Sequence, residues 1–431
     1  MDQIVSAARR VRGTVTPPGD KSISHRAAMF NAIAAGEATV ENFQRGADCQ
    51  ATLACLRALG AEWQWRDETT LHVRGAGRHG LTEPGRVLDC KNSGTSMRLF
   101  AGLLSGQRFF SVLTGDASLR SRPMARVVEP LRAMGARIAG RQGGRLAPLS
   151  IDGTQLRGTR YEMPVASAQV KSALLLAGLY ADGETVVTEP APTRDHTERM
   201  LQAMGADVRF GESATVSVKG LDRDLQALSL RVPGDISAAA AWIVLGVIHP
   251  DAEVRISGVC VNPTRMGLID ALRMMGADVR LEEERQWGAE PVADIVARSS
   301  RLQGGVIGGS LVPRAIDELP LLALAACFAE GETVIRDAAE LRLKESDRVK
   351  TTVEGLRRMG ADIEPLPDGF RIKGARPLTG ARVTSHGDHR LAMMLAVAGT
   401  AAQGETYIGN AKAVDVSYPW FWRHLQALTA T

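Results

Sequence analysis

GDKSISHRAAMFNAIAAGEATV, residues Gly19 to Val40, decides how the rest of the chain is read. A polar, cationic entry leads into an apolar run with helical spacing, and a Gly turn then opens a β-branched strand. The arrangement recurs at NSGTSMRLFAGLLSGQRFFSV from Asn92, SAQVKSALLLAGLYADGETVV from Ser167 and GDISAAAAWIVLGVIHPDAEVRI from Gly234. It returns at DELPLLALAACFAEGETVI from Asp317 and HGDHRLAMMLAVAGTAAQGETYI from His386, making six copies. A repeat of this kind constrains topology before any single motif does.

A second phrase confirms the period. LRALGAEW at Leu56, LRAMGARI at Leu131, LQAMGADV at Leu201, LRMMGADV at Leu272 and LRRMGADI at Leu356 each show helical apolar spacing, a Gly past the helix end and an alternating strand. Each unit of roughly 70 to 80 residues then holds two helices and several strands, longer than ordinary solenoid repeats. The fold class is α/β. A chain of 431 residues exceeds one ordinary core, so two similar domains of three repeats each are expected. The second set starts near Arg231-Val232-Pro233-Gly234. Residues 19–231 form the first expected domain, and residues 1–18 with 232–431 form a discontinuous second one, because the strand before Pro17 precedes the first full repeat.

Composition narrows the function. A 45% hydrophobic and 23% charged content is that of a globular protein. Fifty-two basic against 48 acidic residues leave a net charge of +4, too balanced for a nucleic-acid binder but compatible with local cationic sites for small anions. Five cysteines form no CxxC pair and are odd in number, which argues against a zinc site and a disulfide framework and for a reducing cytoplasm. No apolar run approaches the roughly 18 residues of a membrane span, and the N-terminus has no signal-peptide pattern.

Cations collect at helix starts. Lys21 and Arg26 follow the stiff Thr16-Pro17-Pro18-Gly19 turn, where a cation opposes the helix dipole unless an anion lies between. Solvated surface side chains are the plainer reading of that site alone. Asn92-Ser93-Gly94-Thr95 offers hydroxyls and a Gly that lets a ligand approach the backbone. Arg122, beside Pro123, is placed at a helix start where its guanidinium can fork onto phosphate. Ser167-Ala168-Gln169-Val170-Lys171 repeats the pattern, and Lys344, Arg348 and Arg390 complete seven such cations with Lys171. Lys344 and Arg348, four apart, are expected on one helical face beside Glu345, an acid whose cationic flanks suit proton transfer. Asp317 and Glu318 open the fifth apolar helix, where acids are favoured by the dipole alone. His196 has no second His at ligand spacing, so helix capping is its expected role. The absence of a P-loop, of GxGxxG after a strand and of metal-ligand clusters leaves metal-free acid–base chemistry between small anions.

GDKS with Arg26, NSGTSMR, SRPM around Arg122, SAQVK, RDHTE, NPTR at Asn262 to Arg265, LKESDR and GDHR, in this order, resemble the 5-enolpyruvylshikimate-3-phosphate synthase family over essentially the whole chain. GDKS, SAQVK, RDHTE and NPTR together look like its class II branch, known for glyphosate-tolerant members. The resemblance implies two domains, each an inside-out α/β barrel of three βαβαββ units. It implies transfer of the enolpyruvyl group of phosphoenolpyruvate to the 5-hydroxyl of shikimate 3-phosphate, with release of phosphate and no cofactor or metal. By the same resemblance Lys21, Ser22, Arg26, Ser167, Ala168, Gln169, Arg194, Asp317 and Lys344 hold shikimate 3-phosphate. Phosphoenolpyruvate lies against Lys21, Gly94, Arg122, Gln169, Arg348, His389 and Arg390. Glu345 donates a proton to carbon, while Asp317 and Lys21 manage the hydroxyl proton. A cytoplasmic monomer, binding neither nucleic acid nor membrane, is expected.

Two features depart from many family members. Val416 in VSYPWFW stands where a Lys often precedes the Pro, and Lys412 lies four residues earlier, so no C-terminal lysine is assigned. Gly94 leaves room for glyphosate, whereas Leu99 stands where many sensitive members have Pro. Two other functions fit less well. An enolpyruvyl transferase acting on UDP-N-acetylglucosamine usually carries a reactive Cys in the loop corresponding to Thr114 to Met124, which has none here. A non-catalytic anion-binding repeat protein would explain the cations but not Glu345 between Lys344 and Arg348.

Overall fold

The computed structural model describes residues 2–430. The chain folds into two compact units. One is Gly19–Val232 with Trp287–Glu290; the other joins the N-terminal stretch ending at Pro18, Pro233–Gln286 and the chain from Pro291 onwards.

The Gly19–Val232 unit carries six helices of eight or more residues: α1 (Lys21–Ala32), α2 (Ala47–Ala58), α3 (Gly94–Ser105), α4 (Ala125–Ala133), α5 (Ala168–Gly178) and α6 (His196–Ala203). The apolar run of each repeat supplies the odd-numbered helix. Because these runs lack a polar face they are buried nearly all round; in α3 every residue but Thr95 is buried. Small residues let them approach closely: a Cβ on Gly102 of α3 would lie 2.1 Å from the carbonyl oxygen of Ala173 in α5, so only glycine fits. The even-numbered helices are amphipathic and cover the odd ones.

Each of this unit's three main sheets has one order. A short strand pairs parallel with the strand after the buried helix, which pairs antiparallel with a third and that with a fourth. The sheet of the second repeat runs Leu88–Asp89, Phe110–Thr114, Leu146–Asp152, Arg137–Gly140, with Leu113 opposite Leu149. Arg160–Glu162, Glu184–Thr188, Thr215–Lys219 and Val208–Phe210 repeat it. In the first repeat the parallel place beside Ala34–Glu41 is taken by Leu225–Gln226 and Leu230–Arg231, from the unit's far end. Alternate residues of Leu146–Asp152 are buried, as one covered face requires.

The other unit has α7 (Ile236–Ile248), α8 (Gly267–Met274), α9 (Leu319–Cys327), α10 (Arg348–Arg358), α11 (His389–Ala401) and α12 (Phe421–Thr429). All residues of α7 and α9 are buried. Two of its sheets repeat the order, the third, of Arg382–Thr384, Glu405–Gly409 and Gln3–Ser6, lacks the fourth strand, and the N-terminus completes two of the three. Val11–Val15 pairs parallel with Ala252–Cys260, and Gln3–Ser6 pairs antiparallel with Glu405–Gly409. In the VSYPWFW segment Tyr418 and Phe421 join the core: Trp242 Nε1 donates to Tyr418 Oη at 3.0 Å, and Phe421 stacks on Trp242. Hydrogen bonding runs within separate sheets of two to five strands, and no closed barrel forms among the described strands.

The LxxxGA phrase ends α2, α4, α6, α8 and α10 by one device. Gly60, Gly135, Gly205, Gly276 and Gly360 have φ between 83° and 97°, and the chain closes in a Schellman turn. In the first, Gly60 N–H donates to Arg57 O at 3.1 Å and Ala61 N–H to Leu56 O at 3.0 Å. No helix among the described residues is long and apolar enough to cross a membrane.

Candidate active site

In the Gly19–Val232 unit most of the candidate site residues sit at or near the N-termini of α1, α3 and α5, while Arg122 follows the short helix Ala117–Ser121 and Arg194 precedes α6. Asp20 caps α1, accepting from Ile23 N–H at 2.9 Å. Ser93 caps α3 and Ser167 caps α5 in the same way. These caps leave other first-turn N–H groups to meet an anion.

Lys21 bonds Asp48 Oδ2 at 2.8 Å, both side chains mostly buried. Ser22 follows it, and the Ser22 carbonyl accepts from Arg26 Nη1 at 2.9 Å. Arg26 is 3% exposed, and burial lowers its pKa to about 10. Glu198 and Asp20 partly offset burial, and neighbouring Arg194, half-buried before α6, pushes in the same direction as burial.

Gly94, the first residue of α3, lies under two guanidinium groups. A Cβ there would sit 2.7 Å from Arg98 Nη1 and 3.4 Å from Arg122 Nη1. Arg98 Nη1 donates to Gln169 Oε1 at 2.5 Å, and Gln169 Nε2 donates to Thr95 Oγ1 at 3.0 Å, which locks the starts of α3 and α5 together beside Ala168. Arg122 donates to Asn92 Oδ1 at 2.6 Å and to Ser118 Oγ at 3.2 Å. It does not open a helix as expected. The short helix Ala117–Ser121 ends at Arg122, and α4 begins only at Ala125, so Pro123 acts as a break between two helices.

Lys171 leaves the set of helix-start cations. It lies on the inner face of α5, 2% exposed, and bonds Glu189 and Glu198 at 2.7 Å each. Burial opposes its charge, yet the two carboxylates outweigh burial and its pKa is raised. His196 is the first residue of α6, and its Nδ1 bonds Glu290 Oε1 at 2.7 Å; the helix cap is Asp195.

In the other unit Arg348 is the centre. Its Nε bonds Asp388 Oδ2 at 2.8 Å, Nη1 bonds Asp317 Oδ1 at 3.1 Å and Nη2 bonds Glu345 Oε2 at 2.6 Å. Burial alone would lower its pKa, but Asp388, Glu345 and Asp317 more than offset burial and raise it. Lys344 bonds Asp317 at 3.2 Å. Lys344 and Arg348 share no helical face, because α10 starts at Arg348 and Lys344 ends a short 3-10 stretch, Ala339–Leu343; Asp317 joins them instead. Asp388 caps α11, accepts from Arg390 N–H at 2.9 Å and lies 3.9 Å from His389 Nδ1. Asp317 and Glu318 part company. α9 starts at Leu319, Asp317 faces Lys344 and Arg348, and Glu318 is buried on Ser237, which accepts from Arg265 of NPTR at 2.6 Å.

Sequence reasoning missed Arg98, Asp48 and Asp388. Arg98 and Asp388 lie inside the NSGTSMR and GDHR motifs, and aligning GDKS, GDIS and GDHR on one another places Asp20, Asp235 and Asp388 at one buried cap. Asp48 gives no such signal. Lys412 is exposed on Ala411–Val416. Among the described residues, no three or more His, Cys, Asp or Glu side chains could hold a metal ion.

The profile of EPSP synthase (3-phosphoshikimate 1-carboxyvinyltransferase) matches residues 5–425. A 3-phosphoshikimate 1-carboxyvinyltransferase of Roseiflexus castenholzii is 56% identical over 425 residues, 98% of each chain. One of Roseiflexus sp. is 55% identical over 420 residues, 97% of each. Among solved structures, EPSP synthase of Acinetobacter baumannii is 45% identical, with a TM-score of 0.88 over 100% of this chain and 99% of that one. The enolpyruvyl transferase NikO of Streptomyces tendae, 18% identical with a TM-score of 0.80 over 99% of this chain and 96% of its own, shares the fold. This chain belongs to the EPSP synthase (3-phosphoshikimate 1-carboxyvinyltransferase) family.

Proposed function

We propose that the protein transfers the enolpyruvyl group of phosphoenolpyruvate to the 5-hydroxyl of shikimate 3-phosphate. Full-length likeness to named 3-phosphoshikimate 1-carboxyvinyltransferases supports the reaction. The observation that carries the residue roles is the Arg348 cluster. One guanidinium with 1% of its side chain exposed gathers Asp388, Asp317 and Glu345, and the last two keep 16% and 22% of their side chains exposed to meet a substrate.

Lys21, Ser22, Arg26, Ser167, Ala168, Gln169, Arg194, Asp317 and Lys344 hold shikimate 3-phosphate. Lys21, Gly94, Arg122, Gln169, Arg348, His389 and Arg390 hold phosphoenolpyruvate. In the addition step the 5-hydroxyl oxygen bonds to C2 of phosphoenolpyruvate, Glu345 gives a proton to C3, and Asp317 with Lys21 takes the hydroxyl proton. The tetrahedral intermediate then loses a C3 proton to Glu345 as its C–O bond to phosphate breaks. The arginines stabilise phosphate and carboxylate charge throughout. The chemistry needs no cofactor or metal.

The finer architecture is part of the same reading: residues 19–231, and residues 1–18 with 232–431, as two inside-out barrels of three βαβαββ units. Support comes from one four-strand sheet order that occurs three times in the first unit and twice in the second, whose third sheet keeps three of the four strands. So are a monomeric state and membership of the class II branch, the latter resting on GDKS, SAQVK, RDHTE and NPTR. Light scattering giving a dimer mass would overturn the first. Glyphosate inhibition at concentrations below the phosphoenolpyruvate KM would count against the second.

Phosphate release tests the reaction. Purified protein with chelator should release phosphate only when both substrates are present. Release from phosphoenolpyruvate alone, or none with both, would refute it, and turnover of UDP-N-acetylglucosamine would favour the other transferase.

A further inference from the structure

Arg26 is a buried cation with neutral partners. Its Nε donates to Thr197 Oγ1 at 2.7 Å, its Nη2 to Ser172 Oγ at 2.7 Å and its Nη1 to the Ser22 carbonyl at 2.9 Å. No carboxylate of the described residues pairs with it. The two hydroxyls also bond each other at 2.7 Å, closing a triangle with the guanidinium. A guanidinium has five N–H donors and no acceptor, so both hydroxyls must accept from it and two N–H bonds remain.

We propose that Thr197 and Ser172 are positioning residues that clamp the Arg26 guanidinium, so that its two remaining N–H bonds meet an anionic group of shikimate 3-phosphate. The inference rests on the reading of Arg26 as a ligand of that substrate. Neutral hydroxyls orient the fork without neutralising it, whereas a carboxylate would compete with the substrate for the same charge. The clamp is itself fixed. Thr197 precedes Glu198 on α6 and Ser172 follows Lys171 on α5, and the buried Lys171–Glu198 pair at 2.7 Å rivets the two helices beside the hydroxyls. RDHTE and SAQVK thereby acquire a joint role that direct ligand contacts do not account for.

Thr197→Val removes the hydroxyl at nearly constant shape, and Ser172→Ala removes its neighbour. Each should weaken shikimate 3-phosphate binding by about tenfold or more, the range for losing a hydrogen bond to a charged group. The turnover number and the phosphoenolpyruvate KM should stay within about twofold, since a binding contact common to ground and transition states is what is lost. Thr197→Ser should recover most of the affinity. Calorimetric titration with shikimate 3-phosphate and steady-state kinetics read all of these. An unchanged dissociation constant in Thr197→Val and Ser172→Ala overturns the proposal. So does a loss spread equally over both substrates and not recovered by Thr197→Ser, which marks a purely structural role. If Thr197→Val does not fold, Ser172→Ala decides on the same scale. Unmodified protein that does not bind shikimate 3-phosphate would instead refute the reading of Arg26 itself.

Discussion

Glu345 and Arg348 are three residues apart, and their 2.6 Å contact fixes in place the carboxyl group that the proposed mechanism uses as an acid. The guanidinium holds one of the carboxylate oxygens in a fixed place. Glu345→Gln keeps the shape and the acceptor but loses the proton, so both substrates should still bind while turnover falls roughly a hundredfold or more. Near-normal turnover in that variant would remove Glu345 from the acid role. Gly94 makes a steric argument of the same size. A Cβ 2.7 Å from Arg98 Nη1 displaces the tip of a flexible side chain, and Arg98 in turn holds Gln169. Gly94→Ala should therefore raise the phosphoenolpyruvate KM by about tenfold, because small misplacements of binding groups are costly. Shikimate 3-phosphate, which shares Gln169 as a ligand, should lose affinity by a smaller factor, and the melting temperature should hardly move. An unchanged phosphoenolpyruvate KM would show that Arg98 gives way freely.

At the scale of the element, buried polar groups tie the apolar helices into one arrangement. Lys171 joins α5 to α6 through Glu198, and Glu198 has its own pKa raised by burial. Lys171→Met strands two carboxylates in the interior and should cost about 3–5 kcal/mol in urea unfolding, the range for breaking a buried pair from one side. A loss below about 1 kcal/mol, typical of exposed pairs, would show that water reaches the cluster. α1 is tied on its other side by His25, fully buried, whose Nδ1 bonds Thr52 Oγ1 at 2.7 Å; Thr52 in turn bonds Ser96 of α3 at 2.7 Å. Burial first, then Lys21 and Arg26, hold the His25 pKa well below 6.5. A base with a depressed folded pKa binds its proton later in the folded than in the unfolded chain. Its share of stability is whole above pH 6.5 and is lost as pH falls towards the folded value, at up to about 1.4 kcal/mol per pH unit. His25→Gln should flatten that slope between roughly pH 6.5 and 5 when urea midpoints are compared. Parallel slopes in the two proteins would assign the acid sensitivity to other groups.

Over the whole molecule, 52 basic residues nearly balance 48 acidic ones, so attraction for anionic substrates comes from where the cations are placed. Raising ionic strength from about 50 to 200 mM should raise both KM values severalfold with little change in turnover number, as screening of substrate charge requires. KM values flat across that range would mean that hydrogen bonding dominates recognition. The sixfold repeat, the Schellman turn at each LxxxGA and the buried character of the apolar runs are legible in the chain, because each depends on spacing within one element. So is the family, since GDKS through GDHR occur in order. Which cation is free to meet a ligand is not legible. Lys171 and Lys344 look alike as lysines near helix starts, yet one is closed between two buried glutamates and the other stays partly exposed on Asp317. Asp48 on Lys21, Thr197 on Arg26 and Trp287–Glu290 grouping with a unit distant in sequence carry no local signature either. Sequence by itself determined the repeat, the helix ends and the family chemistry, all of them consequences of short-range pattern. Only tertiary structure decided which charges neutralise one another, because Coulomb and hydrogen-bond partners are chosen by distance in space and not along the chain.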